Sequence, residues 1–81
     1  MVVRVLLFGP EATAAGCEAV ALEVPPGATG EAIKAALAEA CPPLFPLLPA
    51  ARLAVNSRFA PVGQVVQATD EVALIGLVSG G

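Results

Sequence analysis

Residues 2–8 form the first strand that the hydrophobic pattern predicts, because apolar side chains occupy both faces of the alternation. One face is wholly apolar, and on the other face only Arg4 is charged. A strand with two apolar faces is typical of the interior of a sheet. Residues 19–24 alternate more cleanly and predict a second strand, antiparallel to the first.

A helix is predicted from Thr29, whose hydroxyl can cap its start, to about Cys41. Glu31 falls in the first turn, where the helix dipole favours a negative charge. One apolar stripe recurs at helical spacing and contains Ile33, Ala36, Leu37, Ala40 and Cys41. Pro42-Pro43 end the helix, and residues 44–49 predict an irregular packed segment or a short helical turn.

Three further strands are predicted after the helix. Residues 53–55 form the third strand, and Asn56-Ser57 form a tight turn, because Asn tolerates a positive φ. Val65-Val66 are the candidate for a short fourth strand, and residues 71–78 for the last strand.

The order strand, strand, helix, strand, short strand, strand predicts an α+β fold. The first and last strands are the most apolar, so we expect them side by side in the centre of the sheet. The arrangement predicts a β-grasp, or ubiquitin-like, fold with a mixed sheet and one main crossing helix. Residues 1–78 would form this domain.

The composition predicts an exposed apolar surface. Of the 81 residues 57% are hydrophobic and 14% are charged, which is more apolar surface than so small a domain can bury. One helix covers only one face of the sheet, so the other face would be left for a partner. Phe8 and Ile75, on the two central strands, and Phe59 are the candidate interface residues.

Charge and residue usage exclude several classes of function. The net charge of −3, with four basic residues and no basic run, argues against nucleic-acid binding. No apolar stretch is long enough for a membrane span, and the first residues do not resemble a signal peptide, so we expect a cytoplasmic protein with no membrane partner. Histidine is absent and Cys17 and Cys41 are far apart, so neither a metal site nor a redox pair is expected.

The chain ends in Ser79-Gly80-Gly81, directly after an apolar run. Two glycines lack side chains, so residues 79–81 predict a thin, flexible tail that can enter a narrow channel with a carboxylate at its tip. This layout is typical of a protein whose own C-terminus is a substrate. The alternative is a frayed chain end with no role.

Residues 70–81, an acidic turn, an apolar strand and Val-Ser-Gly-Gly, resemble the C-terminus of the small subunit of molybdopterin synthase. Val-Arg-Val-Leu-Leu-Phe-Gly at 3–9 and Leu-Ala-Val-Asn-Ser-Arg-Phe at 53–59 are similar to two further segments of that family. The chain departs from the family at Gly76-Leu77, where two prolines are common, and at Asn56-Ser57, where Asn-Gly is common.

The resemblance implies a sulfur carrier. An activating enzyme would use ATP to adenylate the Gly81 carboxylate, and a sulfur donor would convert it to a thiocarboxylate. Val78, Ser79 and Gly80 would then enter a pocket of the large subunit, where the sulfur passes to a cyclic pterin precursor. No cofactor would be bound permanently, and the catalytic side chains would lie on the large subunit.

The family further implies that large apolar residues at positions such as Phe8, Phe59 and Ile75 contact the large subunit, with two carriers flanking a large-subunit dimer. Three alternatives stay open from sequence. The chain could be a carrier of the same fold for thiamine, tRNA thiolation or cysteine synthesis, a ubiquitin-like modifier that forms isopeptide bonds, or a plain interaction module. Thiamine carriers tend to lack the long segment found here at 41–52.

Overall fold

The computed structural model describes residues 1–61 and 63–76. They contain five strands and three helical segments. In chain order they are β1 (Val2–Leu7), α1 (Gly9–Ala15), β2 (Ala19–Glu23), α2 (Gly30–Ala40), a 3₁₀ helix (Pro42–Ala50), β3 (Ala51–Val55), β4 (Arg58–Phe59) and β5 (Val72–Gly76).

The strands form one mixed sheet in the order β2-β1-β5-β3-β4. β1 and β5 are parallel neighbours, with Val5 opposite Val72 and Leu7 opposite Leu74. The other neighbouring strands are antiparallel. The first and last strands therefore lie side by side within the sheet, and the β-grasp prediction is confirmed.

The crossing helix α2 begins and ends where the sequence predicts. The Thr29 hydroxyl accepts a hydrogen bond from the Ala32 N–H at 3.3 Å, which satisfies one free donor of the first turn. Ile33 and Leu37 are fully buried against the sheet. Cys41 closes the helix, since the prolines that follow cannot continue its hydrogen bonds.

Phe8 does not belong to β1, contrary to the predicted strand 2–8. The strand ends at Leu7, and Phe8 is the extended residue that precedes α1. Pro10 fits the first turn of a helix, where no backbone donor is needed, and Gly16 in the left-handed conformation at φ 74° ends it. Residues 9–15 thus form a helix of seven residues.

The predicted fourth strand at Val65-Val66 is wrong. Residues 58–59 instead form β4, because Asn56 and Ser57, both at positive φ, turn the chain back onto β3. Val65 makes only an isolated bridge to Thr29, while Val66 is fully buried. Burial in the core, rather than sheet pairing, accounts for Val66, while Val65 is exposed.

The hydrophobic core lies between one face of the sheet and the helices. The large buried residues of this core are Val3, Val5, Leu7, Leu22, Val24, Ile33, Leu37, Leu44, Leu48, Leu53, Val55, Val66, Val72 and Leu74. Strand alternation places the remaining side chains of β1, β3 and β5 on the opposite face. Within the described ranges no helix has the length and apolar character that a bilayer span requires.

Candidate functional site

Two alanines form the floor of the outer sheet face. Ala54 on β3 and Ala73 on β5 are direct cross-strand partners, and Phe59 on β4 pairs with Ala54 from the other side. Cross-strand partners project from the same face of a sheet. The small pair is therefore bordered by the large side chains of Phe59 and, two residues further along β5, Ile75.

These residues enclose a surface depression of about 360 Å³, here called the sheet-face depression, lined by Phe8, Ala54, Ser57, Phe59, Glu71, Ala73 and Ile75. Phe8 and Phe59 are 53% and 51% exposed, and Ile75 is half-buried. The structure thus brings the three residues that the sequence singled out to one surface. Exposed aromatic rings around a shallow apolar floor suit an apolar side chain of another protein.

Sequence reasoning missed the alanine floor and Ser57. The available signal was strand parity, because it places one alanine of each strand, Ala54 on β3 and Ala73 on β5, on the outer face. Their pairing depends on the register between β3 and β5, which is not local to either strand.

Arg52 lies beside the depression and adds a positive charge to its border. Its side chain lies on the outer face, where Arg52 is the cross-strand partner of Ile75. The guanidinium carbon is 4.6 Å from the centre of the Phe59 ring. A cation at this distance is attracted to the electron-rich ring face, so the contact favours this arrangement of the two side chains.

A hydrogen-bond network fixes the polar end of the depression. Asn56 Nδ2 donates to Asp70 Oδ1 at 3.0 Å, and the Glu71 N–H donates to Asn56 Oδ1 at 3.0 Å. The Gln67 N–H donates to Asp70 Oδ2 at 2.8 Å. The bond from Gln67, and then the bond from Asn56, lower the pKa of the Asp70 carboxyl from its ordinary value of 3.8.

β5 connects the depression to the end of the chain. Its last described residue, Gly76, follows Ile75 and faces the helices, where Glu11 of α1 is packed against it. Gly81, the predicted reacting residue, and the predicted tail residues Val78, Ser79 and Gly80 lie outside the described residues.

Metal ligands and cysteines are the other groups that could carry chemistry in the described part of the chain. Residues 1–61 and 63–76 contain no group of three or more potential metal ligands. Cys17 is exposed, Cys41 is half-buried, and neither forms a disulfide.

Solved structures support the assigned fold. SAMP1 from Haloferax volcanii is 29% identical, with full coverage of both chains and a TM-score of 0.87. A putative molybdopterin converting factor subunit 1 from Pyrococcus furiosus is 19% identical, with a TM-score of 0.86 over 96% of this chain and 99% of that chain. In a complex of subunits 1 and 2 of the molybdopterin-converting factor from Helicobacter pylori, the matching chain is 21% identical, with a TM-score of 0.69 and full coverage of both chains.

No curated protein matches the sequence closely enough to be counted a relative. The family comparison is more informative, since the model of the ThiS family matches residues 5–81. The match begins within β1, includes every later strand and helix, and extends through the Gly-Gly end. The chain therefore belongs to the ThiS family of β-grasp, ubiquitin-like proteins.

Proposed function

We propose that this chain is the sulfur-carrying small subunit of a molybdopterin synthase and works in the cytoplasm. The observation that supports this most directly is the sheet-face depression beside β5, the strand that leads to Gly80-Gly81. A docking surface next to the base of a thin tail suits a protein that delivers its own C-terminus to a partner. The Helicobacter pylori complex supports a large subunit as that partner.

The chemistry of the carrier begins at the Gly81 carboxylate. Its oxygen attacks the α-phosphorus of ATP on an activating enzyme, an O–P bond forms, and pyrophosphate leaves. Hydrosulfide from a sulfur donor then attacks the carbonyl carbon of the adenylate. A C–S bond forms, the C–O bond to AMP breaks, and a thiocarboxylate and a proton result. The product has one oxygen of the carboxylate replaced by sulfur.

The sulfur is then the nucleophile on the large subunit. It is ionised at neutral pH and displaces an oxygen substituent from a carbon of a cyclic pterin precursor. A C–S bond forms, the C–O bond at that carbon breaks, and the oxygen group leaves with a proton supplied on the large subunit. Hydrolysis of the remaining acyl–sulfur bond leaves the sulfur on the pterin and returns the Gly81 carboxylate. Two such transfers supply a dithiolene. The chain has no histidine to act as a base, and we assign the proton transfers to side chains of the large subunit.

The test is the intact mass of the purified chain after incubation with ATP, an activating enzyme and sulfide. We expect the mass gain of one oxygen replaced by sulfur, located on Gly81 by fragmentation. Reactions without ATP or without sulfide are the controls. A modification at any other residue, or no gain in mass, would contradict the carrier proposal. Release of the sulfur to a cyclic pterin by the large subunit then tests the pathway.

A second candidate function is covalent protein modification. The specific observation in its favour is the 29% identity with SAMP1 over the full length of both chains, since a second structure of that Haloferax volcanii protein names it a small archaeal modifier protein. The same adenylate would then be attacked by a lysine amine, with AMP leaving and an isopeptide bond forming. Conjugates that carry the Gly81 carbonyl on lysine, found by digestion and mass spectrometry of cell extracts, would support this function.

A further inference from the structure

We propose that Arg52 determines the specificity and orientation of docking, and that the partner carries a carboxylate beside the apolar side chain that enters the sheet-face depression. The inference rests on the proposed function, because the partner in question is the large subunit. It adds a positively charged recognition element to a surface that the sequence analysis treats as an apolar interface.

The first support is the contact between the Arg52 side chain and the Phe59 ring. Its guanidinium lies 4.6 Å from the centre of the Phe59 ring, and Phe59 itself borders the depression. A free arginine loses much rotamer freedom when it binds, and an arginine already stacked on a ring loses less. Stacking uses the face of the guanidinium and leaves the N–H donors on its edge for a carboxylate.

The second support is the absence of an internal partner. Among residues 1–61 and 63–76, no carboxylate lies within 4 Å of the Arg52 guanidinium; the one ion pair found there joins the N-terminal amine and Glu23. Arg52 is exposed, so its charge is available to another molecule. A bidentate carboxylate matches the planar donor geometry of arginine better than any other common side chain does.

The third support is the distribution of charge along the depression. Arg52 is level with Ile75, at the end from which β5 leads to the tail. Glu71 lines the opposite end, where Asp70 and Arg4 lie close to it, so that end carries one cation and two carboxylates. A partner carboxylate is attracted to the first end and repelled by the second. This polarity would select the docking orientation that points the tail toward the large-subunit pocket.

Arg58 provides a matched control for Arg52. Both arginines are exposed, and replacement of either by glutamine removes one positive charge. Arg58 is the cross-strand partner of Val55, whose side chain is buried on the helix side of the sheet. Alternation therefore directs Arg58 away from the depression, and it differs from Arg52 in the face of the sheet that it occupies.

The experiment measures the dissociation constant of the full chain with the large subunit for wild type, Arg52→Gln, Arg52→Lys and Arg58→Gln, at low and high salt. We expect Arg52→Gln to weaken binding about tenfold or more, as for a central interface arginine. Arg58→Gln should change binding by about twofold at most, since a charge away from the contact contributes little. Arg52→Lys keeps the charge but not the stacked fork, so it should also bind more weakly than Arg58→Gln.

Equal affinity of Arg52→Gln and Arg58→Gln would overturn the assignment of Arg52. If Phe8→Lys abolishes binding at the same time, the proposed function stands and only the carboxylate recognition fails. If the wild-type chain does not bind the large subunit at all, the proposed function fails and the Arg52 assignment fails with it. Melting temperatures of the variants, measured by circular dichroism, separate lost docking from lost folding. If Arg52→Gln melts far below wild type, Arg52→Met takes its place in the binding measurement.

Discussion

The carboxylate of Glu11, on α1, packs against the backbone of Gly76, the last described residue of β5. A Cβ atom at position 76 would lie 2.6 Å from each carboxylate oxygen of Glu11. Glu11 is 5% exposed and is the one charged residue buried within the described ranges. The missing side chain at Gly76 makes room for this buried carboxylate, so the two positions depend on each other.

This relationship predicts coupled effects on stability. Gly76→Ala alone should lower the free energy of unfolding by about 1 kcal/mol, because the methyl group displaces the Glu11 carboxylate. In the Glu11→Ala background the same substitution should be neutral or should stabilise by about 0.5 kcal/mol, since alanine is better than glycine in a strand. Urea unfolding followed by far-UV circular dichroism measures the cycle, because the chain has neither Trp nor Tyr for fluorescence. The same effect of Gly76→Ala in both backgrounds would show that the two residues do not interact.

A lysine at the rim of the sheet-face depression should block docking and leave the fold intact. Phe8→Lys and Ile75→Lys place a charge on the outer face, and each should weaken large-subunit binding by about 2 kcal/mol or more. Isothermal titration calorimetry measures the affinity, and circular dichroism the fold.

Leu74→Lys is the matched control, because Leu74 precedes Ile75 on the same strand but is fully buried. This substitution should unfold the domain, since a lone buried charge cannot be solvated. If Phe8→Lys or Ile75→Lys unfolds the chain as Leu74→Lys does, that residue belongs to the core and not to the docking surface.

Deletion of Gly81 should separate stability from activity. We expect the melting temperature to stay almost unchanged and sulfur transfer to be lost, because the new carboxylate would end one residue short. One extended residue spans about 3.5 Å, and misplacement by about 1 Å can cost roughly a hundredfold in rate. Thermal melts and single-turnover transfer measure the two quantities.

Gly80→Val provides a second test of the tail. It should bind the large subunit with normal affinity but transfer sulfur slowly, since a branched side chain does not fit a narrow channel. Normal turnover by both tail variants would favour a plain interaction module over a carrier.

Asp70 should make the stability depend on acid pH. Its pKa is lowered in the folded protein by the hydrogen bonds from Gln67 and Asn56. The stabilisation is therefore present above 3.8, the pKa of Asp70 in the unfolded chain. It is lost as pH falls through the lower pKa of Asp70 in the folded protein. Wild type should be more stable than Asp70→Asn near neutral pH, and the difference should shrink between about pH 5 and pH 2. Thermal melts across this range measure it; a difference that stays constant with pH would mean that Asp70 does not contribute through its charge.

The pattern of apolar and polar residues was enough to predict the β-grasp arrangement. Strand alternation in residues 2–7, the stripe on α2 and the Thr29 cap are local signals, and local geometry fixes the outcome. Parity likewise predicted that Ile75 faces away from the core. Phe8 and Phe59, which the sequence also assigned to that face, are exposed, although Phe8 lies just outside β1. The terminal glycines predict Gly81 as the site of the chemistry, and this stays a prediction, because residues 77–81 lie outside the described residues.

The tertiary structure decided what depends on contacts between distant segments. Val65-Val66 has the local character of a strand, but the turn at Asn56-Ser57 pairs β4 with β3 at the edge of the sheet. Val66 is buried in the core instead. The pairing of Ala54 with Ala73, which creates the floor of the depression, depends on the register of two strands separated in sequence. The burial of Glu11 against Gly76 likewise arises when residues distant in sequence meet. The contact of Arg52 with Phe59 depends on the register of β3 against β4, and no periodicity along the chain encodes either contact.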